Sequence, residues 1–513
     1  MEVLRRKSVE QSIRDTEESE HQLRRSLGPI QLTAIGIGVI IGTGIFVLTG
    51  EAAGTVAGPA ITLSFVAAAI VCGLAGVCYA EFASIVPVAG SAYTFSYTSL
   101  GELIAWIIGW DLMLELAFGA STVASGWSQY LQVVLTSAPF HAHPPAWIFA
   151  DHHNLMAAVI VLALTGLLCF GVRTSSTINA VIVAIKVTII LVVIIAGLSY
   201  IHGGNYHPFV PPTGSTPAPG GSSGKTLIQT LGAAPGAFGI GGIFSGAALV
   251  FFAFIGFDIV ATNAEETKKP QRDVPIGIFA SLAICTILYV AVSLVITGMV
   301  KFNKIDVAAP LATAFQSVGQ NTIATIVAYG ALCGITSVIL VLLMGQSRVF
   351  FAMSRDRLLP PIFSAVSKRY GTPYRTTLIT GVVVAFLAFI FPLKTLAELV
   401  NIGTLFAFVL VAIGVIVLRR TQPDLERPFR VPWVPVIPIL SVLASVWLML
   451  NLESRTWLRF VIWMLVGFIV YFSYSMRHSR VGREGDSGPP GEGPSGSGGR
   501  DPQREVPAGS PGS

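Results

Sequence analysis

Apolar residues run through this chain in about twelve blocks, at roughly 30–51, 58–84, 101–136, 154–171, 176–200, 236–263, 275–299, 319–352, 374–391, 396–418, 434–451 and 457–476. A helix needs about 20 such residues to cross the hydrocarbon of a bilayer. The third and eighth blocks exceed one crossing, so they are expected to tilt or to extend past the membrane. Two blocks are interrupted internally, by Ile40-Ile41-Gly42-Thr43-Gly44-Ile45-Phe46 and by Phe251-Phe252-Ala253-Phe254-Ile255-Gly256-Phe257-Asp258. Backbone groups freed at that depth persist only where they line a cavity or bind something.

The interruptions fall in the first and sixth blocks, and each begins a set of five. An odd number of spans inverts the second set relative to the first. The pattern therefore predicts an all-α polytopic membrane protein of about 12 transmembrane helices: a LeuT-type 5+5 inverted repeat with broken helices 1 and 6. Repeat one covers about 30–200, repeat two about 236–418, and two extra helices about 434–476.

Composition agrees. Of 513 residues, 53% are hydrophobic and 12% charged, about half the charge of a soluble protein. The first 28 residues are charged and lack a signal-peptide core, so the first span is expected to stay as an anchor. The five cysteines all fall within blocks and read as small core residues. Of the 32 lysines and arginines, 25 lie on the side that holds both termini, 6 on the other, and Lys186 within a block. That bias predicts cytoplasmic N- and C-termini. Residues 1–27 form a polar tail with a short amphipathic helix near Leu23–Leu27, and 28–478 form the membrane domain. Residues 202–235 read as a flexible outer loop, and 479–513 as a disordered tail.

A half-helix restarting at Gly42–Gly44 would offer free N–H groups and the positive end of its dipole, suited to a carboxylate. Thr43 adds a hydroxyl. The competing reading is close helix packing through Gly36, Gly38, Gly42 and Gly44. Unwinding at the second break would free carbonyls near Phe252, Ala253 and Ile255, which accept from an ammonium. Together the two ends describe a site for an α-amino acid, with Phe252 or Phe254 able to close over it. Lys186, in the middle of the fifth block, is costly in a bilayer and marks function; it can give up and regain a proton, and it can stand where a sodium ion would. The alternative is a structural or snorkelling lysine. Asp111 and Glu115 share one helix face, and Asp258 follows the second break. These carboxylates suit a proton relay or internal polar pairing, whereas Glu81 is expected at the interface. His141, His143, Asp151, His152 and His153 lie in a proline-containing loop with no fixed ligand framework. No nucleotide-binding P-loop, HExxH or nucleophile elbow occurs, so neither ATP-driven transport nor hydrolysis is supported. No cofactor, metal or nucleic-acid partner is expected.

Nine stretches, taken together, resemble the amino acid–polyamine–organocation (APC) superfamily, and within it the cationic amino acid transporter branch, most closely the bacterial members. They begin at Gly36 (GIGVIIGTGIFVLTG), Gly58 (GPAITLSF), Tyr79 (YAEFASIVPVAGSAYTFSY), Gly101 (GELIAWIIGWDLMLE), Asn179 (NAVIVAIK), Phe251 (FFAFIGFD), Glu265 (EETKKPQRDVPIGI), Gly345 (GQSRVFFAMSRDRLLP) and Asn401 (NIGTLFAF). The resemblance implies a permease with alternating access around a midplane site. It places Ile40, Thr43 and Gly44 at the substrate carboxylate, and Phe252, Ala253 and Ile255 at its amino group. Lys186 matches the lysine of proton-coupled, sodium-independent members, Glu115 and Asp258 match acidic positions, and Leu342 faces the side-chain pocket. A bulky aliphatic at Leu342 favours smaller neutral substrates. The family segment SRDGLLP has Arg357 in place of its glycine here. The expected partners are an L-amino acid, protons and the lipid bilayer, with a small membrane subunit left open. An exchanger, a transporter-like sensor and, more remotely, a channel are the other classes.

Overall fold

The chain is described by a computed structural model over residues 27–479, apart from 86–90, 138–139, 151, 171–175, 220–223, 233–235 and 365–372. The expected N-terminal amphipathic segment (but for Leu27), the C-terminal tail (but for Ser479) and Asp151 lie outside the described residues. Local chemistry sets the helix limits. Pro29 opens the first helix at a position where its missing N–H costs nothing. Asn154 caps the fourth span by accepting the Ala157 N–H (3.1 Å). The same oxygen accepts the Ser128 hydroxyl (2.7 Å), so the cap also ties the third span to the fourth.

The first span is Pro29–Ile40 followed, after a break, by helical turns over 44–57. The second is Ile61–Ile85, the third Glu102–Thr136, the fourth Leu155–Cys169 and the fifth Ser176–Gly197. The sixth is Gly239–Val250 and, after a break, Phe257–Thr262. Then come Pro270–Met299, Asn321–Arg355, Tyr374–Ile390, Leu393–Thr421, Val436–Leu450 and Ser454–Val470 as the seventh to twelfth. Among the described residues there are isolated bridges but no strand. Among the described residues eight helices are long and apolar enough to cross a membrane and four are shorter apolar ones, so the protein is a polytopic all-α membrane protein. The third and eighth helices, 35 residues each, run about 52 Å at 1.5 Å per residue, longer than one crossing, as the sequence predicts. They pack on each other, with the tenth against the third and the seventh against the first and second.

The perimeter is apolar, and the apolar interior holds a few buried polar and ionisable groups. Ile70, Ile195, Ile287, Phe386, Leu443 and Ile469 face outward, while Asp111, Glu115, Lys186 and Asn401 are buried. Glu81, near the end of the second span, is also buried. Its carboxylate takes a two-pronged grip from Arg419 (2.9 and 2.7 Å) and the Val431 N–H (2.7 Å), stapling the second span to the tenth and to the segment beyond it. A carboxylate satisfied on both oxygens this way can be buried.

The described part of the Gly/Pro/Ser-rich segment at 202–235 is tied down rather than loose. Asn205 donates to the Gly298 carbonyl (2.7 Å), the Ala218 N–H to Gly54 (2.9 Å) and the Gly224 N–H to Glu453 (2.8 Å). Low-complexity composition hid these bonds because most use the backbone, which carries no residue-specific signal. The eighth span ends in a Schellman turn. The Leu358 N–H reaches Met353 (2.9 Å) and the Arg357 N–H reaches Ser354 (3.0 Å), with Arg357 at φ +60°. Glycine suits that left-handed position. Arg357→Gly is expected to stabilise the protein by about 1 kcal/mol, read as an upward shift of a few degrees in apparent melting temperature in detergent; a lower melting temperature would contradict the strain at this turn.

Candidate functional site

The first break follows from residues that hold a helix poorly. Helix Pro29–Ile40 stops at Ile41 (φ −74°, ψ +96°), and the coil restarts at Thr43, passing into a wide turn at Gly44–Leu48. The third span holds the restarted half. Thr43 donates its hydroxyl to the Val123 carbonyl (3.3 Å) and packs where Gly126 leaves room. Tyr130 donates to the Phe46 carbonyl (2.8 Å). The first turn of this half-helix contains no acidic residue. Its leading N–H groups therefore form the positive end of a dipole with no side-chain carboxylate of its own.

The second break has the opposite character. Gly239–Val250 tightens into a 3-10 turn at Phe251–Phe254, Ile255 is extended, and Gly256 takes φ +112° before Phe257–Thr262 resumes. Only glycine adopts that φ without strain. Asn401 donates from its amide to the Ala248 and Leu249 carbonyls (2.8 and 3.1 Å), satisfying the end of the first half. The Phe252 carbonyl accepts the Ile255 N–H (3.2 Å). Asp258 lies in the first turn of the restarted half, where backbone N–H groups face its carboxylate. That N-terminus already has its anion; the one at Thr43–Gly44 does not.

The two breaks touch. A Cβ on Gly44 would fall on the Ala253 backbone, and one on Gly256 would fall on Val39. The Tyr289 hydroxyl, from the seventh span, reaches both the Ile40 carbonyl (2.8 Å) and the Ala253 carbonyl (3.0 Å). Thus the carbonyl-rich ends of two half-helices converge beside the N–H-rich start of a third. Phe254 is spent in the wall, its ring against Phe65 (6.2 Å) and Tyr289 (5.3 Å). Phe252 is buried at the break and makes no such ring contact among the described residues.

On the eighth span Val338 faces Gly42, and Leu342, one turn along the same face, lies against Gly119 of the third. Lys186 is fully buried; its amine donates to the Gly38 carbonyl (2.5 Å), two residues before the first break ends its helix. Its stem fills the space beside Gly334. The ionisable groups facing it are the thiols of Cys285 and Cys333. Glu115 has Asp258 and Asp111 as its charged neighbours, and all three lie around Tyr79. Asp111 packs against Gly403, and neither of its oxygens has a hydrogen-bond partner among the described residues. The structure thus gathers Ile40, Thr43, Gly44, Phe252, Ala253 and Ile255 at one crossing. Lys186 sits behind that crossing on one side, and Glu115 with Asp258 form a second group. Among the described residues no three side chains are placed to hold a metal, and His152 and His153 instead bond to the end of the ninth span.

Sequence reading missed Tyr289 and Asn401 as site elements. A tyrosine in mid-span, away from the interfaces where tyrosine usually collects, was the available signal.

A sequence profile for the amino acid permease family matches residues 27–472. The chain is 47% identical to a methylthioribose transporter of Bacillus subtilis, over 90% of this chain and 95% of that protein. It is 47% identical to a branched-chain amino acid permease of the same organism, over 93% and 99%. It is 40% identical to a vacuolar cationic amino acid transporter of Arabidopsis thaliana, over 83% of this chain and 64% of that protein.

Proposed function

The chain belongs to the amino acid permease family, and from that premise we propose that it imports a neutral L-amino acid across the plasma membrane by alternating access. Uptake is coupled to protons and independent of sodium, with both termini cytoplasmic. The observation that carries this reading is the crossing of the two breaks. An N–H-rich end with no acidic side chain in its first turn sits at Thr43–Gly44, beside carbonyl ends at Ile40 and Ala253. An anion is favoured at the first and an ammonium at the second. A zwitterion carries both at a fixed separation.

In this reading the N–H groups of Thr43 and Gly44 hold the carboxylate, and Phe252, Ala253 and Ile255 the ammonium side; Ile40, which the family resemblance set at the carboxylate, joins the ammonium side because its carbonyl ends a helix. The half-helices on either side of the breaks tilt between inward- and outward-open forms, within the repeats at about 30–200 and 236–418. Lys186 couples the cycle through the Gly38 carbonyl, since gain or loss of its proton changes its hold on the first half of the first span. Glu115 and Asp258 pass the proton onward.

Valine and leucine at 338 and 342 give the side-chain pocket an apolar wall, and a relative at 47% identity is named for branched-chain amino acids. The deciding experiment is uptake into proteoliposomes under an imposed pH gradient, without sodium. Its panel spans the neutral and basic L-amino acids together with methylthioribose. Branched-chain substrates should accumulate; accumulation of methylthioribose alone would reject the reading. In the same assay Leu342→Ser is expected to admit larger or basic side chains at least fivefold better relative to valine. An unchanged ranking would remove Leu342 from the pocket.

A further inference from the structure

Two half-helices end in carbonyls at this crossing, and one hydroxyl serves both. Ile40 is the last residue of its helix, and Ala253 belongs to the tight turn that ends the first half of the sixth span. Carbonyls at helix ends lack intrahelical partners, and their dipoles add up to a local negative pole. The Tyr289 oxygen lies 2.8 Å from one and 3.0 Å from the other. A phenol has a single proton, so it can serve the two only by sharing. Each carbonyl keeps acceptor capacity for a further donor.

The ring of Tyr289 is fixed. It is fully buried and packed at a tilt in a triangle with Phe65 (5.5 Å) and Phe254 (5.3 Å), aromatics of the second and sixth spans. Tyr289 therefore presents its hydroxyl from a rigid wall, and the two carbonyls are referenced to that point rather than to each other. Without the hydroxyl, two buried helix ends of like polarity would face one another with nothing between them.

We propose that Tyr289 is a positioning residue of the substrate site: its hydroxyl holds the Ile40 and Ala253 carbonyls convergent so that both can accept from a substrate's ammonium group. This rests on the amino acid reading above. It assigns Tyr289 to the amino end of the substrate and gives it no part at the carboxylate end, which lies at the N–H groups of Thr43 and Gly44.

The test uses the full-length protein with Tyr289→Phe, which keeps the aromatic triangle. L-valine is the probe, and its 2-hydroxy analogue 2-hydroxyisovalerate, which lacks the ammonium, is the comparison. The expected result is a roughly tenfold weaker Kd for L-valine, with the inhibition constant of 2-hydroxyisovalerate changed less than twofold. In proteoliposomes the KM for L-valine should rise by a similar factor while Vmax stays within twofold. A parallel change for both compounds, a fall in Vmax at constant KM, or no change at all would overturn the proposal. If 2-hydroxyisovalerate fails to compete with the unaltered protein, the split between KM and Vmax decides. If L-valine fails to bind the unaltered protein while another class of compound does, the amino acid reading itself has failed.

Discussion

Replacing Gly44 with valine is expected to abolish uptake, by at least a hundredfold, while leaving the protein folded. A Cβ at Gly44 has no free space: it would fall on the Cα and Cβ of Ala253. A flexible side chain could turn aside, but Ala253 is backbone in the tight turn Phe251–Phe254, and its carbonyl is bonded to Tyr289. The substitution must therefore push the two breaks apart. That displaces the N–H end from the carbonyl ends, and a misplacement of about 1 Å at a binding constellation can cost on the order of a hundredfold. Gly44→Ala should show a smaller loss in the same direction. Gly73→Ala on the second span is the control, because a Cβ there meets nothing nearer than 4.0 Å. Uptake in proteoliposomes, with elution volume in detergent as the folding check, measures all three. Retention of more than a tenth of the activity by Gly44→Val would show that the contact between the breaks is not needed in the transport cycle.

How much of this was legible in the sequence depends on which forces act locally. Hydrophobic blocks are set by the bilayer, an external ruler, so span existence and most limits could be read directly. The breaks were legible because closely spaced glycine (Gly42, Gly44) and glycine beside an acid (Gly256, Asp258) weaken a helix where lipid cannot satisfy freed backbone. Gly256 with its positive φ and Gly44 against Ala253 bear that reading out. What escaped was most of the side-chain bonding between elements distant in sequence. Tyr289 lies in an unremarkable apolar run, and only the crossing of three spans brings its hydroxyl to Ile40 and Ala253. The burial of Glu81 was hidden because its partners, Arg419 and the Val431 N–H, follow more than 300 residues later. Thr43 looked free to serve a ligand, yet its hydroxyl proton goes to Val123, which leaves the neighbouring N–H groups as the donors of the proposed carboxylate site. Phe252 and Phe254 looked equivalent by spacing. Packing separates them, with Phe254 fixed in the aromatic triangle.

Lys186→Met is expected to uncouple the carrier rather than merely weaken it. The side chain is fully buried, and its amine bonds to a neutral carbonyl at Gly38. The ionisable groups facing it are thiols. A permanent ammonium there would have no carboxylate among the described residues to balance it, an expensive state inside a membrane protein. An amine that alternates between charged and neutral avoids holding that state throughout the cycle. Each alternation also changes the bond to Gly38, and with it the first half of the first span. Methionine keeps the stem packed beside Gly334 but can neither carry a proton nor donate to Gly38. A gradient of two pH units is worth about 2.7 kcal/mol per proton, enough for about hundredfold accumulation at one proton per substrate. The unaltered protein should approach that with an alkaline lumen, whereas Lys186→Met should fall to simple equilibration. Counterflow exchange of preloaded L-valine needs no proton and should persist at more than a tenth of the original rate. Full accumulation by the variant would remove Lys186 from coupling. Equal loss of accumulation and counterflow would make the lysine structural. The difference between the two assays therefore separates a proton carrier from a packing residue, which burial alone does not.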